Sequence, residues 1–91
     1  MMYPFMTLPD DTEIVHSEVK ADGRVKVYIE TPDEKDGFHH ACCYLPDYEW
    51  TEIDGYSEEE MERFQRLVRK NAHLILSFAE QGGILNAAVV K

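Results

Sequence analysis

The chain has 91 residues, is 44% hydrophobic, and carries 9 basic against 18 acidic residues for a formal charge of -9. That size fits one domain around one core, with enough apolar content to fold without disulfide or metal staples. The acidity excludes non-specific nucleic-acid binding, which needs a basic footprint, and no apolar run approaches the ~20 residues of a membrane-spanning helix.

The charge is unevenly spread. Residues 1–56 hold 4 basic and 13 acidic side chains, whereas residues 57–91 hold 5 of each. The acidic half is the half that reads as strands, and its complement is a basic protein partner. Met1–Leu8 is short, contains Pro4 and has no basic region, so it does not read as a secretory leader. A cytoplasmic, reduced protein is expected. Cys42 and Cys43 are adjacent, and neighbours in a strand point to opposite faces, so no disulfide joins them.

In chain order, Tyr3–Leu8 predicts a short first strand, with Pro4 near its start where an edge tolerates it. Leu8-Pro9-Asp10-Asp11 reads as a turn. Glu13–Lys20 and Val25–Thr31 follow as a hairpin around Ala21-Asp22-Gly23-Arg24. A two-residue Asp-Gly turn would mix valines with charges on one face. A three-residue loop with Gly23 left-handed in a bulge instead pairs Val19 with Val25, Ser17 with Val27 and Val15 with Ile29. The opposite face then pairs Glu18 with Lys26, His16 with Tyr28 and Ile14 with Glu30. That register is the one the sequence favours, and a one-residue slip would undo it.

Pro32–Gly37 is a polar connection, and Phe38–Leu45 is a third long strand. Tyr48–Ile53 is a fourth extended segment, and Asp54-Gly55 turns the chain toward a helix. Ser57–Gly83 is that helix. Ser57 and Glu60 form a capping box, with Tyr56 and Met61 at hydrophobic-staple spacing, and Gly82-Gly83 supplies a left-handed stop. Met61, Phe64, Leu67, Val68, Ala72, Leu74, Ile75, Phe78 and Ala79 share one stripe. Glu59–Arg63 and Glu62–Arg66 stand at ion-pair spacing. Asn71 interrupts the apolar stripe and Leu76 lies off its edge. Ile84–Val90 is either a short final strand or a frayed tail. The whole chain, residues 1–91, reads as a single α+β domain: an antiparallel β-meander of four to five strands covered on one face by one long C-terminal helix.

No catalytic residue, cofactor or metal site is expected. His39-His40-Ala41-Cys42-Cys43 is rich in zinc ligands, but strand alternation splits it, and no C-x2-C or H-x3-H pair exists. A metal would have to be assembled from His16, His40 and Cys42. No nucleophile elbow, phosphate loop or dinucleotide fingerprint is present. The candidate binding surface is the outer sheet face. In the favoured register it carries Ile14, His16, Tyr28, Phe38, His40, Cys42 and Tyr44, rimmed by Glu18 and Glu30, and aromatics ringed by acids form a contact surface. The helix, about 36 Å long, should overhang eight-residue strands of about 27 Å. Leu74, Leu76 and Phe78 at that end are candidate homodimer contacts.

Tyr44-Leu45-Pro46-Asp47, the extended segment after it, the Gly55 turn and the Ser57–Glu60 helix start resemble the layout of HicB-like antitoxin domains over about residues 41–79. Tyr48-Glu49-Trp50 stands where that family has Pro-Gly-Cys. The resemblance implies neutralisation of a small basic RNA-cleaving toxin. The expected function is a small acidic, non-enzymatic protein-interaction module. The alternative is a metal- or small-molecule-binding protein that uses the outer sheet face.

Overall fold

The computed structural model describes residues 2–82. Five strands and one helix follow in order: β1 (Met2–Thr7), β2 (Glu13–Ser17), β3 (Val25–Asp33), β4 (Gly37–Leu45), β5 (Glu49–Asp54) and α1 (Glu58–Gln81). The strands form one antiparallel sheet in sequence order, so each connection is a hairpin and the helix closes one face. The expected α+β meander with a single covering helix is what the chain forms. The candidate strand Ile84–Val90 lies outside the described residues. No helix among those described is long and apolar enough to cross a membrane.

Alternation builds the core. Val25, Val27 and Ile29 from β3 and Ala41, Cys43 and Leu45 from β4 point toward α1, and all six are fully buried. The helix answers with Met61, Phe64, Val68, Ala72, Ile75 and Ala79. Trp50 of β5 and Phe5, Met6 and Leu8 of the β1 side pack around the edge of this cluster. Pro4 falls in the edge strand, where a register shift follows it. Pro32 lies in the part of β3 that extends past β2, so its missing N–H breaks no ladder.

The helix ends follow the local code. Ser57 Oγ accepts from the Glu60 amide at 3.2 Å, and the Glu60 carboxylate accepts from the Ser57 amide at 2.9 Å. Gly82 closes the helix at φ 81°. Asn71 donates from Nδ2 to the Leu67 carbonyl one turn back, at 2.9 Å. The expected Glu59–Arg63 and Glu62–Arg66 pairs do not close to within 4.0 Å. A chain of hydroxyls ties the helix start to the sheet: Thr12 Oγ1 to Thr31 Oγ1 at 2.6 Å, Thr31 Oγ1 to the Tyr56 hydroxyl at 2.8 Å, and that hydroxyl donating to the His39 carbonyl at 3.2 Å.

The β2–β3 register corrects the sequence reading. The loop itself is as expected: Gly23 is left-handed at φ 82°, the Gly23 amide donates to the Lys20 carbonyl, and the Lys20 amide donates to the Arg24 carbonyl. Yet Ile14 pairs with Ile29, Val15 with Tyr28 and His16 with Val27. Between the Lys20–Arg24 and His16–Val27 rungs, β2 sets Ser17, Glu18 and Val19 against only Val25 and Lys26 of β3. One extra residue is absorbed there, as in a bulge. Ser17 makes it possible. It is fully buried, its Oγ accepts the Lys26 amide at 2.9 Å, and its hydroxyl donates to the Glu18 carbonyl at 2.8 Å. A side chain thus satisfies a strand amide that the ladder has lost.

The slip turns β2 over. Ile14, 2% exposed, and His16, fully buried, face the helix rather than the outer surface. His16 donates from Nδ1 to the Ser17 carbonyl at 2.8 Å and packs on the rings of Tyr3 and Phe5. Its Nε2 has no hydrogen-bond partner among the described residues.

Candidate functional site

The outer face of the sheet is set by the same alternation. Cross-strand pairs place Tyr28 beside Cys42, Lys26 beside Tyr44, Glu30 beside His40 and Pro32 beside Phe38. Of the seven expected surface residues, the structure brings together Tyr28, Phe38, His40, Cys42 and Tyr44. Ile14 and His16 are removed to the core by the bulge, and Val15 takes their place opposite Tyr28. A metal set of His16, His40 and Cys42 is therefore divided between the two faces of the sheet.

The aromatic side chains are ordered by one another. The Tyr28 and His40 rings stack diagonally at 6.1 Å and 22°, a normal reach for diagonal cross-strand neighbours. The Tyr28 hydroxyl donates to Glu30 at 2.9 Å. Burial, with that bond to Glu30 second, pushes the Tyr28 phenol up to about 12. The Arg24 guanidinium lies over the Tyr44 ring at 4.4 Å. Phe38 is the most open of the set, 54% exposed. Cys42 is 1% exposed despite facing outward, flanked by Tyr28 across the ladder and by His40 and Tyr44 along its own strand. Burial pushes its thiol up to about 11, which disfavours the thiolate that nucleophilic or metal chemistry would need.

Charge on this face is arranged in rows. Arg24 is held by Glu49 at 2.8 Å, by Asp22 at 3.1 Å and by Asp47 at 3.4 Å, and Lys26 reaches Glu52 at 3.9 Å. Both cations are thereby neutralised within the chain. The next row reads Glu13, Glu30, His40 and Asp54 across β2, β3, β4 and β5. Glu13 and Glu30 stand directly opposite each other, and among the described residues no cation lies within 4.0 Å of either. Like charges directly opposite destabilise a ladder. The rim expected at Glu18 and Glu30 is found at Glu30. Glu18 belongs to the bulged stretch.

Two further features bear on the sequence reading. The helix end expected to be bare is partly covered: Phe78 meets Phe5 at 6.0 Å and Leu76 packs on the core, which leaves Leu74 as the exposed member of Leu74, Leu76 and Phe78. In the β3–β4 hairpin, His39 Nε2 lies 3.3 Å from Asp36 and 3.7 Å from Asp33, a grouping that the spacing D-x-x-D-x-x-H could have signalled. Asp33 is already engaged in turn chemistry, accepting the Lys35 and Asp36 amides.

No family model, curated protein or solved structure matches this chain.

Proposed function

We propose that this chain is a small non-enzymatic protein-binding module whose outer sheet face takes a basic partner. The observation that carries the reading is the opposed Glu13 and Glu30 pair beside Tyr28, Phe38 and Tyr44. A like-charge pair destabilises the free chain and becomes favourable against a Lys- or Arg-rich surface, which would neutralise it. The aromatics supply the apolar contact area that interfaces favour. The HicB-like layout names the concrete form of such a partner: a small basic RNA-cleaving protein that the module neutralises.

The test is to capture partners from the source cells, identify them, and titrate the purified pair. A basic partner is expected, with affinity that falls as salt rises. The double variant Glu13→Lys/Glu30→Lys should weaken it more than tenfold while retaining the fold. An acidic or neutral partner whose binding that variant weakens, or an affinity for every captured partner that is indifferent to it, would overturn the reading. If the partner cleaves RNA, an equimolar amount of the module should stop cleavage. Stoichiometric zinc in the purified chain, with no partner, would favour the metal-binding alternative instead.

A further inference from the structure

A second surface, on the helix side, has the opposite character. Arg63, Arg66 and Lys70 rise at i, i+3 and i+7 along α1, so they share one stripe spread over about 10 Å. Beneath them the partly buried Leu8 and Leu67 floor a groove of about 390 Å³ between the β1–β2 turn and the helix, with the fully buried Phe64 behind them. Asp10 stands at the Arg63 end of this groove. None of the three cations makes an ion pair within 4.0 Å among the described residues. In a chain of net charge -9, a row of three cations along one apolar groove is unexpected. Asp10 lies near enough to feel the Arg63 charge, and Glu59, Glu60 and Glu62 share a surface hollow with Arg63 and Arg66, so the row is least compensated at Lys70. Like charges at helical spacing weaken the helix that bears them.

We infer that this groove binds an acidic peptide segment carrying an apolar anchor residue, contributed by a protein partner. The charge selects an anion, and the floor of Leu8 and Leu67 selects an apolar anchor. The spacing selects a run of carboxylates: one carboxylate headgroup, as on a fatty acid, can meet only one end of a row about 10 Å long. A nucleic-acid strand offers the charges in series but no aliphatic anchor, and the acidic strand half repels a long polyanion within a Debye length of about 8–10 Å. Residues 83–91 of this chain contain no acidic side chain, so they do not supply the segment. The groove lies apart from the sheet face, and its occupancy is independent of the partner proposed there.

The experiment is fluorescence anisotropy with a labelled synthetic peptide of leucines alternating with paired glutamates. Saturable binding is expected, weakened at least tenfold when glutamine replaces glutamate, and weakened again by salt. The variant Arg66→Glu/Lys70→Glu should lose the peptide and gain one with lysines in place of glutamates. Both side chains are exposed, so circular dichroism should report an unchanged fold. Glu13→Lys/Glu30→Lys on the sheet should leave peptide affinity within about twofold, since that row is on the other face. Equal binding of the glutamate and glutamine peptides would overturn the inference. So would displacement of the peptide by laurate or by single-stranded RNA. Light scattering of the chain alone provides the last arm: dimers that the Arg66→Glu/Lys70→Glu variant dissolves would mean that a second copy fills the groove, and the inference would fall.

Discussion

Ser17→Ala probes the device that decides which residues reach the outer face. The Ser17 hydroxyl is the acceptor for the Lys26 amide at 2.9 Å and the donor to the Glu18 carbonyl at 2.8 Å, at a fully buried position. Alanine leaves the amide with no acceptor. A buried unsatisfied donor costs about 1–3 kcal/mol, and the lost hydroxyl bond adds about 0.5–1.5 kcal/mol. Both bonds are part-buried, so the lower half of the summed range, about 2–3 kcal/mol, is the expected loss. For a domain of this size each kcal/mol moves the midpoint by about 4–8 °C, so Tm should fall by about 10–20 °C. Urea unfolding reads the free energy, and amide exchange reads the mechanism, because the Lys26 N–H should lose protection ahead of its neighbours in β3. Val19→Ala, two residues away but 40% exposed, is the control and should cost less than about 0.5 kcal/mol. A Ser17→Ala loss as small as that control, with Lys26 protection unchanged, would refute the argument that the side chain replaces the ladder acceptor.

Three other outcomes follow from the geometry. Gly55 has φ 93°, and an added Cβ would sit 2.9 Å from His39 Nε2 and closer still to two ring carbons, whereas Gly23, at φ 82°, has open space around it. Gly23→Ala should cost about 1–2 kcal/mol of backbone strain and Gly55→Ala a further 1–3 kcal/mol or so of overpacking; equal losses in urea titrations would remove the steric argument, and His39→Ala should relieve the excess in Gly55→Ala. Asn71→Leu should leave stability equal or raise it by up to about 1 kcal/mol, because among the described residues the amide bonds only a carbonyl of its own helix and leucine is the better helix former; a clear loss would show that the Leu67 bond matters. Burial pushes the thiols of Cys42 and Cys43 up to about 11 and about 12. The unfolded chain loses these protons near pH 9 while the folded chain keeps them, so this contribution to stability is intact below about pH 9 and is lost as pH rises toward about 11–12. Thiol titration with a chromogenic disulfide at about pH 8 should accordingly be slow until urea exposes both groups. Labelling of the native chain as fast as the unfolded one would contradict it.

Part of the open sheet face is legible in the order of the amino acids. Tyr28, Phe38, His40, Cys42 and Tyr44 lie on β3 and β4, two long strands joined by a tight hairpin and locked by nine paired positions. Period-two alternation places their side chains without further information. Ile14 and His16 escape that logic because β2 offers two nearly balanced alternations, Val15 with Ser17 and Val19, or Ile14 with His16. The loop chemistry at Gly23 is as expected and does not settle the choice, because the extra residue is absorbed between Lys20 and His16. The basic groove is not legible at all. Its floor joins Leu8 to Leu67, and two of its cations, Arg63 and Arg66, look pairable with glutamates one turn earlier.

Strand ends moved, with β2 stopping at Ser17 instead of Lys20 and β3 and β4 taking in Pro32, Asp33 and Gly37 from the expected connection, but the sequence by itself determined the order of the elements, both helix caps, the left-handed turn at Gly23 and the apolar face of β3. These depend on contacts within a few residues, so local spacing contains them. Tertiary structure alone decided the face of β2, the burial of His16, the pairing of Glu13 with Glu30, and the groove under Arg66 and Lys70. Each depends on a register or a contact between segments distant in sequence. A single bulge, satisfied by one serine hydroxyl, is enough to move every side chain of a strand to the other side of the sheet.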